Sequence, residues 1–466
     1  QDAVSIGSNA NVNGDSGVAI GQNAQTNKES VAIGKYTKSG KTGGSSIYNV
    51  LIGTQTTPTA NNIEASIAIG KSSSFIGGGS AYRSVAIGSN VNISSIESIG
   101  IGTNATVIGK GGVAIGEDAS ANEDGVAVGV RTLAHINSVA IGVQADASQN
   151  AVAIGISSKV ENDGGVAIGS TSTSAQDSIS IGRNTISEVS GVSVGFSADS
   201  SNNAVAIGIN STASADSAVA IGNGADVNDI AGVSIGQNTN TSKYGVAIGI
   251  NADASENAVA LGVNSDASEN GVAIGNKAYV VNDSGVAIGR SSSSKKYSIA
   301  IGSNASIGGT DGKCISIGSN SSSTNNSVSI GPGTTASAGS SVGIGVLTNV
   351  SGSWGIGIGS GSTVSAQDGV AIGKSATASA QNAIAIGNTA DATGGEVNLT
   401  STATTDNDGA SIQAKQESFA LPTTAGFSKN IPLPAEKAVA ENKFLKCVTG
   451  ASIVFATCDA AFGNKT

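Results

Sequence analysis

The tetrapeptide Val-Ala-Ile-Gly, or a close variant, returns every 13 or 14 residues from Gly7 to Gly387. Counting the closing glycines gives 28 copies, among them Gly21, Gly34, Gly142, Gly155, Gly208, Gly262, Gly289 and Gly373. A short fixed period makes each repeat one structural unit that cannot bury its own apolar face alone. Such units stack, each touching only its neighbours.

One clean copy runs from Asn257 to Glu269. Val259 and Leu261 alternate with Ala258 and Ala260, the period of two that marks a short strand. Gly262 then breaks the alternation where a turn needs positive φ. A second, weaker alternation (Ser265, Ala267) follows, and a polar Ser-Glu-Asn segment turns the chain back. At about 3.3 Å per residue, 13–14 residues are too few for a roomy three-sided coil, so a flattened two-sided coil is expected. Coils about 4.8 Å apart would make 28 copies a rod of roughly 130 Å.

The two faces of the first strand differ in size. One carries Val, Ile or Leu; the other carries Ala or Ser, as at Ala19, Ala32, Ala153, Ser180, Ala220 and Ala287. The expectation is that the branched residues fill the interior. The alanine ladder, with Ala260 and Ala287 in it, would then lie outside against another chain. So thin a coil buries little per residue, which predicts a homo-oligomer.

The unit resembles the head repeat of YadA-like trimeric autotransporter adhesins. The residues that carry the resemblance are Ser30-Val31-Ala32-Ile33-Gly34, Ser138-Val139-Ala140-Ile141-Gly142 and Gly369-Val370-Ala371-Ile372-Gly373. It covers residues 3 to about 395. The resemblance implies an all-β fold, a left-handed parallel β-roll (solenoid) of 13–14-residue repeats, with three parallel rolls about a threefold axis. It also implies secretion and a role in surface attachment. Members of that family continue into a heptad stalk and a membrane β-barrel anchor. Residues 396–466 have neither sustained heptads nor a series of amphipathic strands, which predicts no stalk or anchor within them.

Sixty-six glycines, 3% aromatics and 12% charged residues exclude an ordinary globular enzyme with a mixed core. The net charge of −10 and the lack of a basic stripe argue against a nucleic-acid partner. Lys295-Lys296 is the densest basic spot. No apolar run reaches the length of a membrane-crossing helix. The chain has no methionine, so Gln1 is expected to arise by cleavage of a secretory signal peptide, placing the protein outside the cell or on its surface. In that oxidising setting Cys447 and Cys458 are expected to pair, leaving Cys314 as a buried free thiol.

Three consecutive repeats are long, with spacings of 19, 17 and 18 residues between Gly34, Gly53, Gly70 and Gly88. Their extra residues, with Lys38, Lys41, Tyr82 and Arg83, are expected to bulge outward as candidate binding loops. A fourth insertion precedes Gly318. Beyond residue 395 the composition shifts to Thr, Pro and Phe. Residues 396–434 read as an extended connector and 435–466 as a small module, opening with a helix-like start at Pro434–Glu441.

Catalytic constellations are not found in the sequence. His135 falls in a turn and reads as a solvent-facing substitution; Gly369–Ser375 has three residues between its glycines where a phosphate loop has four. No enzyme, cofactor or metal site is expected. The expected function is a secreted structural protein, a trimeric rod that assembles head to tail into a filament. Its first repeat starts two residues from Gln1, and the segment Ile453-Val454-Phe455 near the other end would add a strand to the next rod. The alternative is an adhesin head that attaches to host or surface ligands, or to other cells.

Overall fold

In the computed structural model, residues 2–40, 46–60, 62–76, 80–309, 312–394, 397–399, 443–448 and 452–457 are described. Among them there are only strands, bridges and turns, and no helix. The chain divides into two units, Gln1–Asn264 and Ser265–Thr466.

In the first unit each repeat is one coil of a parallel β-solenoid. A coil has a three-residue strand, a glycine turn, a two-residue strand and a second turn, as in Val139–Ile141 and Asp146–Ala147. Stacking is in register, with like over like: Val139 over Val152, Ala140 over Ala153 and Ile141 over Ile154. Strand backbone groups bond between coils, for example Val139 N–H to the Ala151 carbonyl at 2.9 Å and Gly142 N–H to the Val128 carbonyl at 2.8 Å, while some turns also close within a coil, as Gly271 N–H to the Ser268 carbonyl at 2.8 Å. The second unit repeats the plan from Asp266–Ala267 onward. Its last stacked strand, Val397–Leu399, pairs with Ile384–Ile386 and so lies past residue 395. An antiparallel hairpin, Lys443–Val448 with Ser452–Thr457, has strands twice as long as any in the coils. Residues 400–442, which hold the helix-like start, lie outside the described residues.

Each coil turns on three residues with positive φ. Gly142 has φ 131°, Gln144 58° and Asn150 55°. The first value is open only to glycine. A Cβ at Gly208 would also lie 2.2 Å from the Gly222 carbonyl oxygen of the next coil. The other two sites are left-handed helical, where Asn and Asp fit with least strain. Asn supplies many of them, including Asn104, Asn137, Asn203 and Asn257.

The interior reverses the expected arrangement. Ala153, Ala220, Ala260 and Ala287 are all 0% exposed, whereas the flanking Val and Ile point out of the coil and stay half-exposed. The cause is width: with two or three residues per wall, the walls stand too close for branched side chains to meet between them. Small residues from both strands fill the gap, such as Ala140 against Ala145 and Ala147. Volume is traded across it. Gly357 replaces the usual Ala where a Cβ would lie 2.7 Å from Val350, and Gly100 does the same at 2.8 Å from Val91. Where serine enters, its hydroxyl is satisfied internally, as in Ser193 Oγ to Ser200 Oγ at 2.8 Å and Ser234 to Thr241 at 2.6 Å.

The long repeats of the first unit also differ from expectation. Part of their extra sequence adds another wall: Asn62–Glu64 pairs in parallel with Ser80–Tyr82. The wider coil accepts large side chains, and Leu51, Ile63 and Phe75 are each 0% exposed. Residues 41–45 and 77–79 lie outside the described residues.

The small-residue core makes a direct prediction. Ala220→Leu should cost about 1–3 kcal/mol or more through overpacking, because no neighbouring side chain can retract. Val219→Leu, which points out of the coil, should cost clearly less than Ala220→Leu, because its side chain is outside the closed slot. Thermal unfolding followed by circular dichroism measures both; equal effects would restore the original assignment of faces.

Candidate functional site: the outward faces of the roll

With its interior filled, the roll can act only through what it turns outward. Four columns of side chains run along each stack. The first is the ladder of Val and Ile on the three-residue strands, where Ile141, Ile181 and Ile207 are each 38% exposed. The second stands just after the glycine. In the first unit it includes Val143, Ile156, Phe196, Ile209, Ile250 and Val263, all exposed. Arg183, in the same column, lies 4.5 Å over the ring of Phe196. The next residue in each coil sits at positive φ and holds short amide ladders. Asn238 Nδ2 donates to Asn251 Oδ1 at 3.4 Å, and Asn251 Nδ2 to Asn264 Oδ1 at 3.0 Å. Like glycine-side apolar residues, these ladders repeat because the register stacks equivalent positions.

The third column is the outward residue of the two-residue strand. Successive coils place Asp199, Thr212, Asp226, Asn240 and Asp253 there. The fourth lies at the far corner, before the buried residue that opens the next strand. It is mostly polar, with Asp124, Asn137, Asn150, Asn203 and Asn257.

The sequence-predicted residues are distributed over these surfaces. Lys38 is half-buried and bridges to Gln25. Tyr82 ends the added wall and is half-exposed; Arg83 is exposed and pairs with Glu97 at 2.6 Å. Lys41 lies outside the described residues. Ile453, Val454 and Phe455 lie in one strand of the hairpin, where Cys447 stands opposite Ile453. Cys458, the other half of the expected disulfide, lies outside the described residues. Cys314 is buried with a free thiol. His135 is partly exposed, with Nε2 3.8 Å from Asp146 Oδ1 of the next coil. It borders a shallow groove of about 250 Å³ with Asn122, Ser148, Gln149 and Asp163. Among the described residues no three His, Cys, Asp or Glu side chains converge on one point, and no helix is long and apolar enough to cross a membrane.

A family profile described as the YadA head domain repeat (2 copies) matches residues 1–24, 94–119, 147–172, 200–225, 268–292, 290–305, 355–376, 365–390 and 378–394. The matched segments are similar to YadA head repeats. Coils between the matched segments from residue 94 to 264 keep the same register and the same small-residue interior. No curated protein matches the chain. YadA-like heads are surface-exposed, adhesin-like and homotrimeric, and theirs is a structural family without enzymatic chemistry.

The outward column of the short strands carries three aspartates whose titration the coil perturbs. Burial against the coil raises the carboxyls of Asp199, Asp226 and Asp253 above the ordinary aspartate value, with Asn228 and Asn240 partly offsetting the last two by donating to them. The folded chain therefore binds these protons more tightly than the unfolded chain. The associated stability is present in acid and is lost as pH rises through the folded-state values. Accordingly, Asp226→Asn with Asp253→Asn should raise the melting temperature at about pH 7 and make little difference at about pH 3, where the aspartates are protonated in both states. A gap that widens in acid would contradict the burial argument.

Proposed function

We propose that three copies of the YadA-like roll pack their Val/Ile ladders about a common axis, forming a secreted head displayed for attachment. The single observation behind this is the uncovered apolar surface. On one chain the ladder leaves branched side chains half-exposed for coil after coil, joined in places by Val143, Ile156, Ile209 and Ile250 after the glycine, far beyond what a soluble monomer presents. Covering the remaining exposed part of each Ile or Val contributes about 1 kcal/mol, and every coil repeats the gain. The polar far corner would then face solvent. This replaces the alanine contact expected from the sequence with a Val/Ile contact, and it retains the threefold arrangement.

Ile207→Lys combined with Ile221→Lys should shift the protein from trimer to monomer in light scattering, because two layers of three buried ammonium groups have no counter-charge. Wild-type protein that runs as a folded monomer would overturn the trimer outright.

A second reading concerns assembly beyond the trimer. We infer that the C-terminal segment joins one head to the next, making a head-to-tail filament. The hairpin supports this reading: its six-residue strands carry Leu445, Ile453 and Phe455, and a free strand edge is a template for pairing with another chain. Removing residues 435–466 should leave short soluble rods where the full chain gives fibres by electron microscopy. Long filaments from the truncated protein would exclude the segment as connector.

A further inference from the structure

The second unit contains a belt with no charge. Residues 314–367 include no Asp, Glu, Lys, Arg or His, and within it lies the only tryptophan of the chain, Trp354. The coil that begins at Val342–Ile344 departs from the rule at both left-handed positions. Leu347 has φ 53° and Trp354 has φ 54°; Asn, Ser and Asp fill most such sites, and Tyr244 and Tyr297 are the other aromatic residues at the far corner of later coils. Bulky side chains are strained there, and such strain tends to persist where a function uses it. Among the described residues of the unit, Leu347 and Trp354 are also the most exposed large apolar ones, at 68% and 59%.

The two outliers sit on different corners. Leu347 follows Val346 at the glycine-side corner, next to the Val/Ile ladder that the proposed trimer covers. Trp354 stands on the far corner, between Ser340 and Asp368 of adjacent coils, where the column is polar and faces solvent. Its turn is fixed. Trp354 N–H donates to the Gly339 carbonyl at 2.9 Å, and Gly355 N–H to the Gly352 carbonyl at 3.1 Å. Beside the indole run two columns of uncharged hydrogen-bonding groups. Thr335, Asn349 and Thr363 stack on the short strands, and Ser337, Ser351 and Ser365 are exposed after them.

We propose that this face binds a neutral polysaccharide, with Trp354 as the stacking platform for a pyranose ring. A sugar ring has one apolar C–H face, which an exposed indole covers, and a rim of hydroxyls that bond to Ser, Thr and Asn. Uncharged chemistry on the protein matches an uncharged ligand; a sulfated or uronic chain would find no cation in these coils. The regular stacking of the coils suits a periodic polymer, since each step presents the same donors again. The inference rests on reading the roll as a displayed surface, and it names the class of ligand displayed to.

Because Trp354 is the sole tryptophan, emission of the full-length protein reports this site alone. Titration with cellohexaose, chitohexaose and maltohexaose should give a saturable blue shift with at least one of them. Adsorption to the corresponding insoluble polysaccharide should fall about tenfold or more in Trp354→Asn and largely survive in Trp354→Phe. The asparagine variant should fold, with a melting temperature no lower than wild type, because asparagine is the native residue at equivalent corners such as Asn257. No spectral shift with any of the three sugars, or adsorption unchanged in Trp354→Asn, overturns the proposal. So does a response confined to a heparin hexasaccharide. A trimer that ignores these sugars sinks only this inference, whereas a monomer sinks the reading beneath it.

Discussion

The backbone hydrogen bonds between coils govern everything else in this molecule. Each coil satisfies its N–H and C=O groups on the coils above and below, so successive backbones must lie one strand spacing apart along their whole length. That requirement brings glycine over glycine, as at Gly208 and Gly222, closer than any side chain allows. It also holds the two walls of a coil at a separation set by the turns. The interior is then a slot of fixed width, and the side chains have to fit it. Alanine, serine and an occasional valine do. Where the slot is widened by a further wall, in the long repeats of the first unit, Phe75 and Leu51 enter at once.

Much of this was legible in the sequence, and the part that was not is instructive. The period gave one coil per repeat, and the alternation gave two unlike faces. Alternation does not say which face is inward. The rule that larger apolar residues go inside holds for cores whose volume adjusts to their content, and this slot does not adjust. A better signal lay in the substitutions. The middle position of the strand accepts Gly, as at Gly100, Gly343 and Gly357, while its neighbours remain Val or Ile. A position that shrinks to glycine when Val91 or Val350 grows opposite is sharing a closed volume with it. Asparagines before the buried small residue, such as Asn137 and Asn150, likewise announced left-handed turns. The added wall at Asn62–Glu64 and Ser80–Tyr82 was hidden, because its pairing joins segments of two different repeats with little alternation of their own.

Candidate sites were harder to read for a related reason. A column on the surface is assembled from residues 13 or 14 apart, so its character shows only once the register is known. Asp199, Asp226 and Asp253 look scattered in the chain; on the roll they occupy one line with Thr212 and Asn240 between them. His135, unpaired in sequence, meets Asp146 of the next coil.

This separation of tasks explains how so uniform a fold can carry specific recognition. The glycine, the inward small residues and the left-handed turns are all tied to backbone stacking and have little freedom to vary. The outward residues of the short strand answer to no such constraint, since altering them disturbs neither the slot nor the ladder. Variation therefore accumulates there at small energetic cost, one coil at a time. Bulky residues at left-handed turns run against that ease, because they add strain that Asn avoids. Leu347 and Trp354 bear that strain together in one coil of an uncharged belt. Neither residue contributes to the interior, and stacked backbone hydrogen bonds hold both in place. In the proposed assembly the neighbouring chains would cover Leu347, and a neutral sugar ring would cover Trp354.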